Sequence, residues 1–230
     1  MDISNKIELQ RKEILNNSEK NLDRFLNQAD SPIEKLMLQY IIRYLTTTHN
    51  YRFCNTYNYF GDDGNENFIF SSRIHISKLH NTADINDPKK YKLKYLISVV
   101  PQLEEYSDDN KYSIDIAIKL RTFQNDGTFI KENKVAIECD GHDFHSNKIQ
   151  IEKDNKRARS LRNKDWCVLR YSGSEIYNFN YKIFSEKIFT DILHILFEST
   201  KDENEQMFLR LWRNGDFQFI NSSYIYDFKE

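Results

Sequence analysis

The residues best placed to do chemistry sit in two short stretches. Asp115 lies in Tyr-Ser-Ile-Asp-Ile-Ala-Ile-Lys-Leu (112–120), and Glu138 and Asp140 lie in Lys-Val-Ala-Ile-Glu-Cys-Asp (134–140). In extended chain, neighbouring side chains point to opposite faces. Ile114, Ile116 and Ile118 therefore oppose Ser113, Asp115 and Ala117, while Val135, Ile137 and Cys139 oppose Ala136, Glu138 and Asp140. Between the stretches stands Asn125-Asp126-Gly127-Thr128, and Asp-Gly favours a two-residue type I′ hairpin turn. A hairpin closed there without a bulge puts Asn125 opposite Thr128, Ile118 opposite Val135, Ile116 opposite Ile137 and Asp115 opposite Glu138. Carboxylates facing each other at roughly 5 Å repel. A divalent cation is the natural compensation, since Mg²⁺ is held by one or two carboxylates together with water and phosphate oxygens. Asp115 and Glu138 are the expected metal ligands, backed by Asp140. One acid on a strand face is ordinarily just solvated; three sharing one register favour a site.

Gly141-His142-Asp143-Phe144-His145 follows directly, and His145, with His142 behind it, is a candidate general acid or base. Zinc on Cys139, His142 and His145 is disfavoured because Cys139 belongs to the apolar face. The next segment, 148–164, carries seven basic residues against Glu152 and Asp154, a net +5 in a chain whose formal charge is −2. Such a run is usually a solvated face, but beside an acidic cluster it suits a polyanion's phosphates, with Lys153, Lys156, Arg157 and Arg159 as candidate contacts. Pairing of Asp154 with Arg157 at i,i+3 is the plainer alternative for those two.

The elements that must position these groups follow from pattern. Ser31-Pro32-Ile33-Glu34 reads as N-cap, first helical position and capping-box acid, opening a helix whose apolar stripe runs through Leu36, Met37, Tyr40, Ile41, Tyr44 and Leu45. Glu34 is explained by the cap alone, so a part in the site is an even alternative. Strands are expected at 96–100, 112–120, 134–140 and 166–171, and helices at 148–164 and 181–197. Residues 1–30 read as a helical arm, about 46–96 as an insertion without an evident job, and 201–230 as an extension whose alternating aromatics, Phe217 to Phe228, close a core edge. With 230 residues and 39% hydrophobic side chains the chain suits one α/β domain with a mixed central sheet over 31–200. Three cysteines without short spacing exclude a disulfide scaffold, and no Gly-rich phosphate loop occurs. No apolar run of membrane length and no signal-peptide core is visible, so a cytoplasmic protein is expected.

Val100-Pro101-Gln102, Tyr112 to Asp115, Ala136 to Gly141 with His145, then Asp154, Arg157 and Leu161, and finally Trp166 to Tyr171 resemble, in order and spacing, the PD-(D/E)xK nuclease superfamily. The likeness is to its small endonuclease-like domains related to very-short-patch repair endonucleases, and it covers roughly residues 95–178. It implies a restriction-endonuclease-like α-β-β-β-α-β core and a Mg²⁺-dependent endonuclease, with Mn²⁺ able to substitute. DNA is the implied substrate, with RNA as the alternative, and a protein partner or homodimer is compatible. By this resemblance Asp115 bridges metal, Glu138 is the first acid of the E-x-K element, Glu34 reaches the site from its helix, and Arg170 and Glu175 match the last strand and following turn. Asp140 stands where the superfamily usually has lysine, and His145 resembles the base of this branch. A catalytically silent binding module on the same fold is the competing reading, and a metal hydrolase of small phosphate esters a more distant one.

Overall fold

The computed structural model describes residues 2–7, 19–47, 54–62, 68–77, 91–107, 110–124, 126–140, 148–184 and 188–197. Six strands lie in one sheet in chain order: β1 (Cys54–Asp62), β2 (Phe68–Ser77), β3 (Tyr91–Ser107), β4 (Asn110–Gln124), β5 (Phe129–Asp140) and β6 (Trp166–Ser172). Pairings from β1 to β5 are antiparallel, and β5 pairs with β6 in parallel, so the sheet is mixed. The helices are α1 (Glu19–Leu26), α2 (Pro32–Thr47), α3 (Lys148–Arg162), α4 (Gly173–Asn178), the single turn α5 (Tyr181–Ile183) and α6 (Phe189–Phe197). From residue 91 onward the order of three strands, helix, strand and helices is the expected one. Before it, β1 and β2 join the same sheet, which gives part of the unassigned 46–96 segment a structural role. Parallel β5 and β6 need a crossover, and α3 supplies it. Asp165, at φ 63, turns the chain from α3 into β6, a backbone region that Asp tolerates. No described helix is long and apolar enough to cross a membrane.

One face of the sheet carries the larger core. Tyr95, Ile97, Val99, Ile116, Ile118, Leu120, Val135 and Ile137 pack there with buried residues of α1, α2, α4 and α6. Leu22, Phe25 and Leu26 of α1 are buried in this core, so that helix packs on the domain and does not stand off as an arm. The other face has a smaller cluster, with Val100, Leu103, Ile114, Ala117, Ala136, Leu161 and Trp166. Ile114 thus departs from the expected alternation. The cause lies across the ladder at Gln102, whose φ of 49 is left-handed. Pairing steps from Pro101–Ile116 to Leu103–Ile114, and beyond that step both strands show the opposite face.

The β4–β5 register holds in the core, with Ile116 opposite Ile137 and Ile118 opposite Val135, but the turn differs from expectation. Thr128 pairs with Gln124, not Asn125: the Gln124 amide donates to the Thr128 carbonyl and the Gly127 amide to the Gln124 carbonyl, with Gly127 at φ 91. This is a longer turn needing one left-handed residue, which glycine supplies. The one-residue offset is cancelled between Thr122–Lys131 and Phe123–Phe129, where Ile130 is extra.

Tyr40 ties α2 to the chain after α4. Its ring is fully buried, stacks on Phe184 with centroids 5.3 Å apart, and its hydroxyl donates to the Phe179 carbonyl at 2.6 Å. Burial pushes this phenol up to about 12, against a smaller opposing pull from Arg43. Tyr40→Phe leaves that carbonyl without its partner and lowers stability by about 1–2 kcal/mol. Urea denaturation checks this: the midpoint falls with an unchanged slope.

Candidate active site

The β4–β5 ladder ends at Ile116–Ile137, one pair before Asp115 would meet Glu138. Beyond that point Asp115 Oδ2 accepts the Cys139 amide hydrogen at 2.7 Å. A side-chain carboxylate thus ties the two strands together where backbone pairing stops, and Asp115 is fixed one residue from Glu138.

Glu138 is 3% exposed, on the face of the smaller cluster. Arg157 reaches it from α3, with Nη2 at 2.7 Å from Oε2 and 2.9 Å from Oε1, and the same nitrogen donates to the Ser113 carbonyl. Arg157 is therefore the cation against the acids, a partner 19 residues away that local spacing does not reveal. Arg170 sits opposite Glu138 in the parallel register, exposed, with its charge within reach of the carboxylate.

Glu34 is brought in by the fold. At 7% exposure it accepts from the Asp30 amide at 2.9 Å and the Ser31 hydroxyl at 2.8 Å, while the Glu34 amide donates to Ser31 Oγ at 3.2 Å. The expected cap is present, with the return bond going to Asp30. The same carboxylate also accepts from Gln102 Nε2 at 2.7 Å, and Gln102 Oε1 accepts from the Ser113 hydroxyl at 2.6 Å. The left-handed turn at Gln102 thus links the start of α2 to β4, two residues from Asp115. Glu34 is both cap and neighbour of the site.

The electrostatics are those of crowded acids. Burial raises the Asp115 carboxyl; the Cys139 amide draws it down, Glu34 raises it, Arg157 lowers it and Asp140 raises it. Glu138 is pushed up to about 8, by burial first, with Arg157 opposing, Asp115 adding, Arg170 opposing and Asp140 adding. Glu34, Asp115, Glu138 and Asp140 all raise the Cys139 thiol after burial, so the four carboxylates share one neighbourhood. Among the described residues no group of three or more His, Cys, Asp and Glu side chains is arranged to hold a metal ion. Asp115 and Glu138, both raised by burial first, offer oxygen donors, the kind that a hard divalent cation takes.

Of the other expected residues, Lys153, Lys156 and Arg159 are exposed on α3. Glu175 is occupied by structure: its carboxylate accepts from the Ser172 amide and hydroxyl, both at 2.7 Å, in a capping box for α4. Cys139 packs against the larger core, as its place on the apolar face requires. His142, His145 and the aromatic tail lie outside the described residues. The sequence reading missed Arg157 as partner of Glu138, and it named Gln102 only within the resemblance, not as the bridge between Glu34 and Ser113. It also missed Lys119 and Lys134, although the register that paired the acids sets these two lysines opposite each other.

The described chain is a mixed α/β protein with an acidic cluster where β4 and β5 part. Comparisons with protein families, with curated proteins and with solved structures found no match.

Proposed function

We propose that this protein is a metal-dependent endonuclease on a restriction-endonuclease-like core, hydrolysing phosphodiester bonds of DNA. One observation carries the reading: Asp115 and Glu138 flank the point where β4 and β5 part, Glu34 and Asp140 lie beside them, and the basic helix α3 sets Arg157 on Glu138. Asp115 and Glu138 would hold a Mg²⁺ ion, or Mn²⁺ in its place, which when bound supplies charge stabilisation and lowers the pKa of water. Arg157, released from Glu138, is positioned to offset charge developing on the phosphate, and Lys153 and Lys156 to hold the flanking backbone. The resemblance assigns the base to His145.

A second reading has its own observation. Arg157 on both oxygens of Glu138, with Asp140 in place of the usual lysine, also suits a silent nucleic-acid-binding or partner-binding module. Incubation with supercoiled plasmid and a single-stranded oligonucleotide, in Mg²⁺, Mn²⁺ or chelator, separates the two. Nicking that needs metal and stops in chelator is the expected result. Salt-sensitive retention of uncut DNA under every condition would overturn it in favour of the silent module.

A further inference from the structure

Lys119 and Lys134 face each other directly across β4 and β5, and Lys134 in turn faces Trp166 on β6. Both ammonium groups lie over the same indole, at 5.7 and 5.3 Å from its centroid. Like charges in directly opposed positions are destabilising, and a ring face offsets only part of that. Among the described residues, the carboxylates acting on Lys119 are engaged with other cations. Glu132 takes Arg121 at 2.6 Å, and Glu105 takes Lys164 at 3.1 Å and the Trp166 Nε1 hydrogen at 3.2 Å. Among the described residues, the acids acting on Lys119 are thus Glu132 and Glu105, and these already pair with Arg121 and Lys164. Burial also lowers the Lys119 ammonium, so that charge is poorly solvated.

The strands place this group in line with the acids. On β4 the alternate residues are Asp115, Ala117 and Lys119; on β5 they are Glu138, Ala136 and Lys134, and the alanines pair. Four residues of strand span about 13 Å, the rise of about four nucleotides along one strand of a duplex. Leu161 of α3 is buried with the alanine pair and Trp166, so a polymer joining the two ends passes along α3, where Lys153, Lys156 and Arg159 are exposed.

We propose that Lys119 and Lys134 form a second anion site that holds the backbone phosphates of a nucleic acid about four nucleotides from the acidic cluster. As to which polymer, this rests on the endonuclease reading. The test measures binding without cleavage: fluorescence anisotropy of a labelled DNA of about 20 nucleotides, single-stranded and duplex, in chelator and over a salt series. Lys119→Gln/Lys134→Gln is expected to weaken binding about tenfold near 0.1 M salt and to reduce the salt-dependence slope by about 1.4–1.8, the loss of two phosphate contacts. Lys134→Gln alone keeps Lys119 over the ring and gives about half the change in slope. An unchanged slope in both variants, no DNA binding by the wild-type chain, or capture of polyglutamate with DNA left unbound would each overturn the proposal. Metal-dependent cleavage by wild type with unaltered binding by the lysine variants sinks this site and leaves the endonuclease standing. Weakened binding in a chain that never cleaves does the reverse.

Discussion

Asp115→Asn lowers metal-dependent nicking of plasmid DNA by about 10³-fold and leaves the fold intact. The two halves of that expectation have separate causes. Asparagine keeps an oxygen that can accept the Cys139 amide hydrogen, now bonded to Asp115 Oδ2 at 2.7 Å, so the tie between β4 and β5 survives. What disappears is the charge, and removal of one electrostatic group at a reacting centre commonly costs about 10²–10³-fold in rate. Asp115→Ala is the contrast, because it removes tie and charge together and lowers stability as well. Nicking rates and urea midpoints measured on both variants test the assignment. A nicking rate in Asp115→Asn equal to that of wild type would remove Asp115 from the site.

The stability of the metal-free protein falls as pH rises from about 5 to about 8, and Glu138 is the main cause. An ordinary glutamate has a pKa of 4.5, whereas burial holds this one up at about 8. Between those values the folded chain keeps a proton that the unfolded chain has released, so rising pH disfavours folding; below and above the window the effect is flat. Each pH unit inside the window removes up to about 1.4 kcal/mol, a few kcal/mol in all. Asp115, also raised, acts in the same direction. Glu138→Gln removes most of the slope and retains an oxygen for Arg157. Mg²⁺ at pH 8 raises the wild-type midpoint because it favours the ionised carboxylates. Urea midpoints at about pH 5, 6.5 and 8, with and without Mg²⁺, decide the matter, and an equal slope in Glu138→Gln would show that the pH response arises elsewhere.

Much of this architecture is legible in the chain because its causes are local. Alternating Ile and Ala residues in β4 and β5 set a register that a one-residue slip would invert, and Ser31-Pro32-Ile33-Glu34 marks the start of α2. What escapes has no local signal. Nothing in Pro101-Gln102-Leu103 announces a non-glycine residue at φ 49, so the change of face that carries Ile114 into the smaller cluster is invisible. Arg157 reads as a phosphate contact, or as a partner of Asp154, until folding sets it against Glu138 and the Ser113 carbonyl. The Tyr- and Asn-rich β1 shows no clear alternation, and only its pairing with β2 makes it a strand.

The extra residue at Ile130 bears on how this chain tolerates change in length. The hairpin leaves its turn one residue out of step and is corrected before Thr122 meets Lys131, well short of the acids. Phe129 and Ile130 lie exposed at that tip, so a shift there displaces no core side chain. Insertions and deletions can therefore accumulate at the tip and be absorbed by the bulge. At Gln102 the same event has nowhere to dissipate, because that residue bonds Glu34 and Ser113 at once. One end of the β4–β5 hairpin is free to drift in length over evolutionary time, and β3 at Gln102, beside the acids, is held to a single spacing.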